Sequence, residues 1–318
     1  MKLQTQIPLN LAKNLVDYNS RLLLLGSCFS QNIGRKLKYY KFQSLQNPFG
    51  ILFHPKAIEK LISKSVDQDT YSERDVFFHN ERWHCFDAHS DLSDSSKEQL
   101  LQKLNKALEQ TNQQITKSTH IIITLGTAWV YRNIKSGKFV ANCHKVPQSE
   151  FKKELLSVEE VIYGLRNIVD KIASANKKAQ VIFTISPVRH LKDGFVENQR
   201  SKAHLITAIH ELINTSDFVP RTSYFESFEI MMDELRDYRF YESDMVHPNQ
   251  LAIDYIWEKF KVVWISEKAH STMEKVAEIQ KGLQHRPFNP DSEQHKKFVK
   301  SLERKITYLQ KGYPSMEF

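Results

Sequence analysis

This chain of 318 residues has no apolar run that approaches the roughly 18–20 residues a membrane-crossing helix requires. Runs such as Leu22-Leu23-Leu24-Leu25 are only strand-sized. The first residues lack the apolar core of a secretory signal, so the chain is expected to be cytoplasmic and to engage no membrane. Cysteine is scarce: Cys28, Cys85 and Cys143 stand at wide, irregular spacing, which speaks against a disulfide framework and suits a reducing compartment. Cys-x-x-Cys and His-Glu-x-x-His are both missing, and with them the usual spacings of a metal site. Neither the glycine-rich dinucleotide fingerprint nor a P-loop is present, so no organic cofactor is expected. Charge of one sign is not concentrated anywhere. The chain carries 45 Lys+Arg against 37 Asp+Glu, and even the tail after Trp264 mixes both signs. A nucleic-acid partner is therefore not expected.

Five stretches read as strands. Residues 21–25, 121–125 and 180–185 are apolar runs with Leu, Ile, Val and Phe in succession, and residues 42–45 and 222–225 are shorter. Helical patterns separate them: residues 29–40, 55–64, 96–110, 158–173, 198–212 and 248–260 each place apolar side chains three or four apart. Continuous apolar strands alternating with amphipathic helices predict a mostly parallel sheet covered on both faces, a three-layer α/β/α fold. Residues 70–90 read as an inserted hairpin and residues 138–151 as a polar excursion. The expected division is an α/β domain over residues 1–264 and a helical C-terminal extension over residues 265–318.

In a sheet of this kind ligands bind beyond the carboxyl ends of the strands. Gly26-Ser27-Cys28 lies there, turning from a buried strand into a helix. The unpaired N–H groups of a helix start favour an anion, lower a thiol pKa and stabilise a developing oxyanion. Two plain alternatives stay open: Ser27 caps the helix, and Cys28 is a small buried apolar residue. Near the far end of the chain stands Asp244-Met245-Val246-His247-Pro248. A carboxylate three residues before a histidine suits an imidazole held in one tautomer, its other nitrogen free to move a proton. It equally suits a surface turn.

Taken together, these motifs resemble the SGNH/GDSL hydrolase superfamily, and specifically its GSCFA branch. The resemblance runs over roughly residues 5–264. It is carried by Gly26-Ser27-Cys28-Phe29-Ser30, Asn47-Pro48-Phe49-Gly50, Thr124-Leu125-Gly126-Thr127-Ala128-Trp129-Val130-Tyr131, Asn142-Cys143-His144-Lys145-Val146-Pro147, Ile185-Ser186-Pro187-Val188-Arg189 and the Asp244–His247 block. It implies an SGNH-like fold and an acyl-ester hydrolase that removes a small acyl group, acetyl for example, from a carbohydrate or glycan-like substrate through a covalent acyl-enzyme. In the register of the superfamily's first block Cys28 takes the nucleophile's place, with Ser27 as the alternative if the turn shifts by one residue. His247 would act as general base and then acid, oriented by Asp244. The superfamily's oxyanion Asn is missing after Gly126, where Thr127-Ala128 follows. Replacement donors are sought at the nucleophile's own N–H, near Gly50 and Gly126, and on Asn47, Asn142 or Trp129. His144 and Arg189 are further candidates to hold substrate. The rival readings are an acyltransferase using a thioester donor and a catalytically silent carbohydrate-binding or assembly protein.

Overall fold

The computed structural model describes residues 4–215 and 221–318. The chain opens with β1 (Arg21–Gly26), α1 (Cys28–Tyr39), β2 (Gln43–Gln46) and α2 (Pro55–Asp67). A hairpin of β3 (Val76–His79) and β4 (Arg82–Cys85) precedes α3 (Lys97–Lys117) and β5 (His120–Leu125). Then come β6 (Trp129–Asn133), β7 (Phe139–Val140), β8 (Phe151–Leu155), α4 (Val158–Ala175) and β9 (Gln180–Ile185). After α5 (Phe195–Asn214), β10 (Thr222–Phe225) and the single turn α6 (Ser227–Glu229), three helices close the chain: α7 (Gln250–Trp264), α8 (Glu267–Gln284) and α9 (Glu293–Gly312).

The five expected strands form one parallel sheet in the order β10-β9-β5-β1-β2. Alternate side chains of each strand enter two different cores. Leu23, Leu25, Ile121, Ile123, Val181 and Phe183 face one core with α2, α3, α4 and α5. Leu22, Leu24, Ile122 and Ile182 face the other with α1 and α7. Double burial explains why these strands read as unbroken apolar runs. The result is an α/β protein in three layers.

The tail joins the second core. Met273, Val276 and Ile279 of α8 and Leu309 of α9 are buried there, and Gln280 donates to the Tyr39 carbonyl at the end of α1. Gly282 lets α9 close on α8, since a Cβ at that position would lie 2.6 Å from Leu302 Cδ2.

The hairpin forms as expected, with Val76 opposite Cys85 and His79 opposite Arg82. The second insertion differs from the expected polar excursion. It belongs to a three-stranded antiparallel sheet, β7-β6-β8, pairing Tyr131 with Val140 and Trp129 with Leu155. In Phe151-Lys152-Lys153-Glu154-Leu155 only Phe151 is fully buried, so the strand lacks the apolar run that marks the central ones.

Among the described residues no helix is long and apolar enough to cross a membrane.

Candidate active site

The strand order reverses between β1 and β5, and in such sheets the crevice at that switch point receives the ligand. Gly26 ends β1 there at φ +133°, with its backbone so near β5 that a Cβ would fall 2.1 Å from the Thr124 carbonyl oxygen. Glycine is required on both counts. Ser27 follows as the N-cap of α1: its N–H donates to Thr124 O, and its hydroxyl accepts from Phe29 N–H at 3.3 Å. The Ser27 side chain is buried and engaged in capping. Cys28 is the first helical residue and is half-buried. Burial pushes its thiol up; its own N–H, Lys202, the Phe29 N–H and Arg35 pull it down without cancelling the burial.

Asn47 follows β2 in the left-handed region, φ 41°. Its Oδ1 accepts the Gly26 N–H at 2.9 Å, and its buried Nδ2 has no partner among the described residues. An unpaired amide N–H₂ beside the β1 terminus is a donor without an acceptor, the property an oxyanion site needs. Gly50 and Gly126 differ. The Gly50 N–H donates to Asn47 O at 2.8 Å, and the Gly126 N–H to Phe53 O at 2.6 Å. Both amides are engaged inside the fold, so neither is the free donor the sequence suggested. Their small size matters instead: a Cβ at Gly50 would sit 2.4 Å from His89 Cβ, and one at Gly126 would sit 2.8 Å from His190 Nε2.

Asp244 and His247 form the unit their spacing predicted. Asp244 Oδ1 accepts the N–H groups of Val246 and His247, while Oδ2 meets His247 Nδ1 at 2.6 Å. The His247 N–H first, then its ring and the Val246 N–H, hold the Asp244 carboxyl down to about 2. The loop is closed by the Glu242 N–H donating to His247 O and by a bridge between Tyr241 and Pro248. His247 is half exposed and its Nε2 has no protein partner among the described residues. Nor does any hydrogen bond there join it to Cys28. Arg189 ties this loop to the end of β9 through its N–H, which donates to Val246 O. Its guanidinium lies against Met232 Sδ and the Tyr241 ring, which makes it a support of the loop.

His144 was expected at the rim facing substrate. The structure buries it instead, with Nε2 2.7 Å from Cys85 O and Nδ1 3.4 Å from Ser90 Oγ. Burial lowers its pKa to about 4. Asn142 serves the same junction, accepting the His144 N–H and donating to Ser90 Oγ. Both residues fasten the insertion to the hairpin, and neither ring nitrogen of His144 is left to hold a ligand.

Residues 21–260 match the model described as the GSCFA family. The chain belongs to the GSCFA family. Residues 276–318 match the model described as the GSCFA domain protein, C-terminal domain. No curated protein matches the chain in sequence. Among solved structures it is similar to an acetyl xylan esterase (Est2A) from the rumen bacterium Butyrivibrio proteoclasticus, at 11% identity and a TM-score of 0.38. The likeness covers 78% of this chain and 65% of that one, and it is too slight to carry a functional argument.

Three residues of this GSCFA protein were missed from sequence, and all act at the same rim. Asn198, Ser201 and Lys202 lie on the buried face of α5. Asn198 accepts the His190 N–H; Ser201 Oγ accepts the Ala128 N–H and bonds Thr127 Oγ1; Lys202 Nζ donates to Ser186 O at 2.7 Å. A signal was available: these positions and Leu205 follow the i, i+3, i+4, i+7 stripe, three of them polar where a core-facing helix should be apolar. His190 also belongs here, stacked on Phe53 with a buried Nε2 that has no hydrogen-bond partner among the described residues. Its pKa is lowered to about 3 by burial, then by Lys202 and His247. Lys202 and His247 therefore lie near enough to His190 to disfavour a charge on its ring.

Proposed function

We propose that this protein is an acyl-ester hydrolase that removes a small acyl group, with acetyl on a carbohydrate as the working substrate. The observation that carries the reading is Cys28: a thiol on the first residue of α1, at the sheet's switch point, on the rim that also bears an Asp244-oriented His247 with Nε2 free. As Cys28 attacks, forming the S–C bond to the acyl carbon, its Sγ proton passes to His247 Nε2. The oxyanion is held by the Cys28 N–H and Asn47 Nδ2. The C–O bond then breaks, and His247 Nε2 gives a proton to the departing alcohol. Water loses a proton to the same nitrogen, attacks the thioester and releases the thiolate. Ser27 is disfavoured as nucleophile because its hydroxyl caps α1. The half-buried faces of Trp129 and Tyr131, each with the Lys153 ammonium over the ring and that ammonium paired to Asp193, supply an aromatic wall beside the loop that follows β9. Such a wall suits a polar, ring-shaped substrate.

The test is hydrolysis of 4-nitrophenyl acetate and of acetylated xylose by the wild type, Cys28→Ala and Ser27→Ala. Cys28→Ala should abolish turnover. Ser27→Ala should keep it while lowering stability by about 1 kcal/mol, the usual worth of an N-cap. No hydrolysis by the wild type would overturn the reading, and loss confined to Ser27→Ala would move the nucleophile.

A further inference from the structure

A groove of about 430 Å³ opens between the hairpin, the turn that joins β6 to β7, and α2. That volume lies in the range of small-molecule sites. Cys28, Asn47, Asp244 and His247 are not among the residues that line it. Phe77, Phe86 and Phe139 supply apolar surface, Phe77 stacked on Phe86 at 4.1 Å. Around them stand four cations, Lys60, Arg74, Lys135 and Lys138, against two carboxylates, Asp75 and Asp87. Both carboxylates are already engaged at one oxygen. Asp87 Oδ1 meets Lys60 Nζ at 2.6 Å, and Asp75 Oδ2 accepts the Ser72 N–H at 2.8 Å. Arg74, Lys135 and Lys138 have no ion-pair partner among the described residues. Like charges gathered on one concave surface draw in an anion.

The walls of the groove are tied together. The Phe86 carbonyl accepts the Ala141 and Asn142 N–H groups at 2.7 and 3.3 Å, joining the end of the hairpin to the end of β7. The turn that carries Lys135 and Lys138 is closed by Asn133. Its N–H donates to Lys138 O at 2.9 Å, and its Oδ1 accepts the Ser136 N–H at 2.9 Å. Only 9% of Asn133 is exposed, and it lines the groove. Yet its Nδ2 has no hydrogen-bond partner among the described residues. Most buried amides are paired, so a spare donor on a groove wall points to something that binds there.

The chemistry of the lining selects the occupant. Three unpaired cations and an amide donor suit an anion. Asp75 Oδ1 and Asp87 Oδ2, which accept no hydrogen bond among the described residues, suit hydroxyl donors. The phenyl rings suit the C–H face of a ring. A plain aromatic acid has no hydroxyls for the two carboxylates, which would only repel it. A sugar ring that carries a negative charge answers all three features. We infer that this groove binds an acidic saccharide unit, its charge answered by Arg74, Lys135, Lys138 and Asn133 Nδ2 and its hydroxyls by Asp75 and Asp87. The site is separate from Cys28 and stands whether or not the protein cleaves esters.

The experiment is calorimetric titration of the full chain with trigalacturonate, glucose 6-phosphate and neutral maltotriose. At least one of the two acidic probes should bind and maltotriose should not, and added salt should weaken the binding. The acid that binds more tightly tells whether the charge is a carboxylate or a phosphate. Asn133→Asp keeps the acceptor for Ser136 and puts a negative charge in place of the spare donor. It should weaken binding about tenfold or more, the usual worth of a hydrogen bond to a charged group. Lys138→Glu changes an exposed side chain, which spares the fold, and should act in the same direction. Cys28→Ala should bind as the wild type does. Binding of neither acid, equal binding of maltotriose, or unchanged affinity in the two groove variants would overturn the inference. So would loss of binding in Cys28→Ala, which would put the sugar at the ester site instead. Groove-dependent binding by a protein that hydrolyses no ester would leave this inference standing and remove the hydrolase reading.

Discussion

Two histidine loops of this protein look alike in sequence and end in opposite roles. Asn142-Cys143-His144-Lys145-Val146-Pro147 and Asp244-Met245-Val246-His247-Pro248 each set a polar Asx residue a few positions before a proline. Each also contains left-handed residues, His144 and Lys145 in one, Met245 in the other. In the first loop the ring goes inward, and both nitrogens find partners in the hairpin. In the second the Asx carboxylate takes Nδ1 and leaves Nε2 without a protein partner among the described residues, on a half-exposed ring. A buried histidine with two bonds is cement, because moving a proton there would break one of them. A histidine with one bond to a carboxylate and one nitrogen free can trade a proton and keep its orientation.

The largest effect expected from that contrast is kinetic. His247→Ala should lower ester turnover by about 10²–10⁴-fold, the range for a removed acid–base group, with stability within about 0.5 kcal/mol of wild type. Activity assays beside urea titrations check both halves; an unfolded or fully active variant would break the comparison. Next comes His144→Ala, which strands the Cys85 carbonyl and should cost about 1–3 kcal/mol of stability while turnover of the folded protein stays within a few-fold. A collapse of turnover without loss of stability would reverse the two roles.

The smallest effect is in the pH dependence of stability. His144 has a folded pKa of about 4, below the value near 6.5 of an unfolded histidine. For a histidine depressed in this way the unfolded state binds the extra proton first. Its contribution is therefore full above about 6.5 and is lost as pH falls toward 4. His54 and His190 act in the same direction, with folded values of about 4 and about 3. Urea midpoints measured between pH 7 and 4 should fall in the wild type and less steeply in His144→Ala. Equal slopes would mean that the ring is not held neutral.

The same contrast shows what the sequence could reveal. Strands buried on both faces announce themselves, so the central sheet and the rim at Gly26 and Cys28 were legible from apolar runs alone. Asp244 and His247 were legible too, because their bond spans three residues of one loop. The fate of His144 was not, since it depends on Cys85 and Ser90, more than fifty positions away in the chain. Lys202 was hidden for a related reason. A lysine on a helix is read as solvent-facing, and only the packing of α5 against the end of β9 puts it inside. The strands β6 and β8 escaped notice because their lysines and arginines interrupt the apolar signal. Asn47 stood among the candidates, but its unpaired Nδ2 became visible only when β2 was laid beside β1.

The central claim is a covalent acyl group on Cys28 that His247 is needed to remove. The direct measurement is the mass of the intact protein after brief exposure to an activated acetyl ester, followed by peptide mapping, in the wild type and in His247→Ala. Such an ester has a leaving group that needs no proton, so both proteins should acquire one acetyl group on the Cys28 peptide, His247→Ala more slowly because its thiol lacks the base. It should disappear with time in the wild type and persist in His247→Ala. No acetyl on Cys28 in either protein, or equal labelling and equal decay in both, would contradict the account.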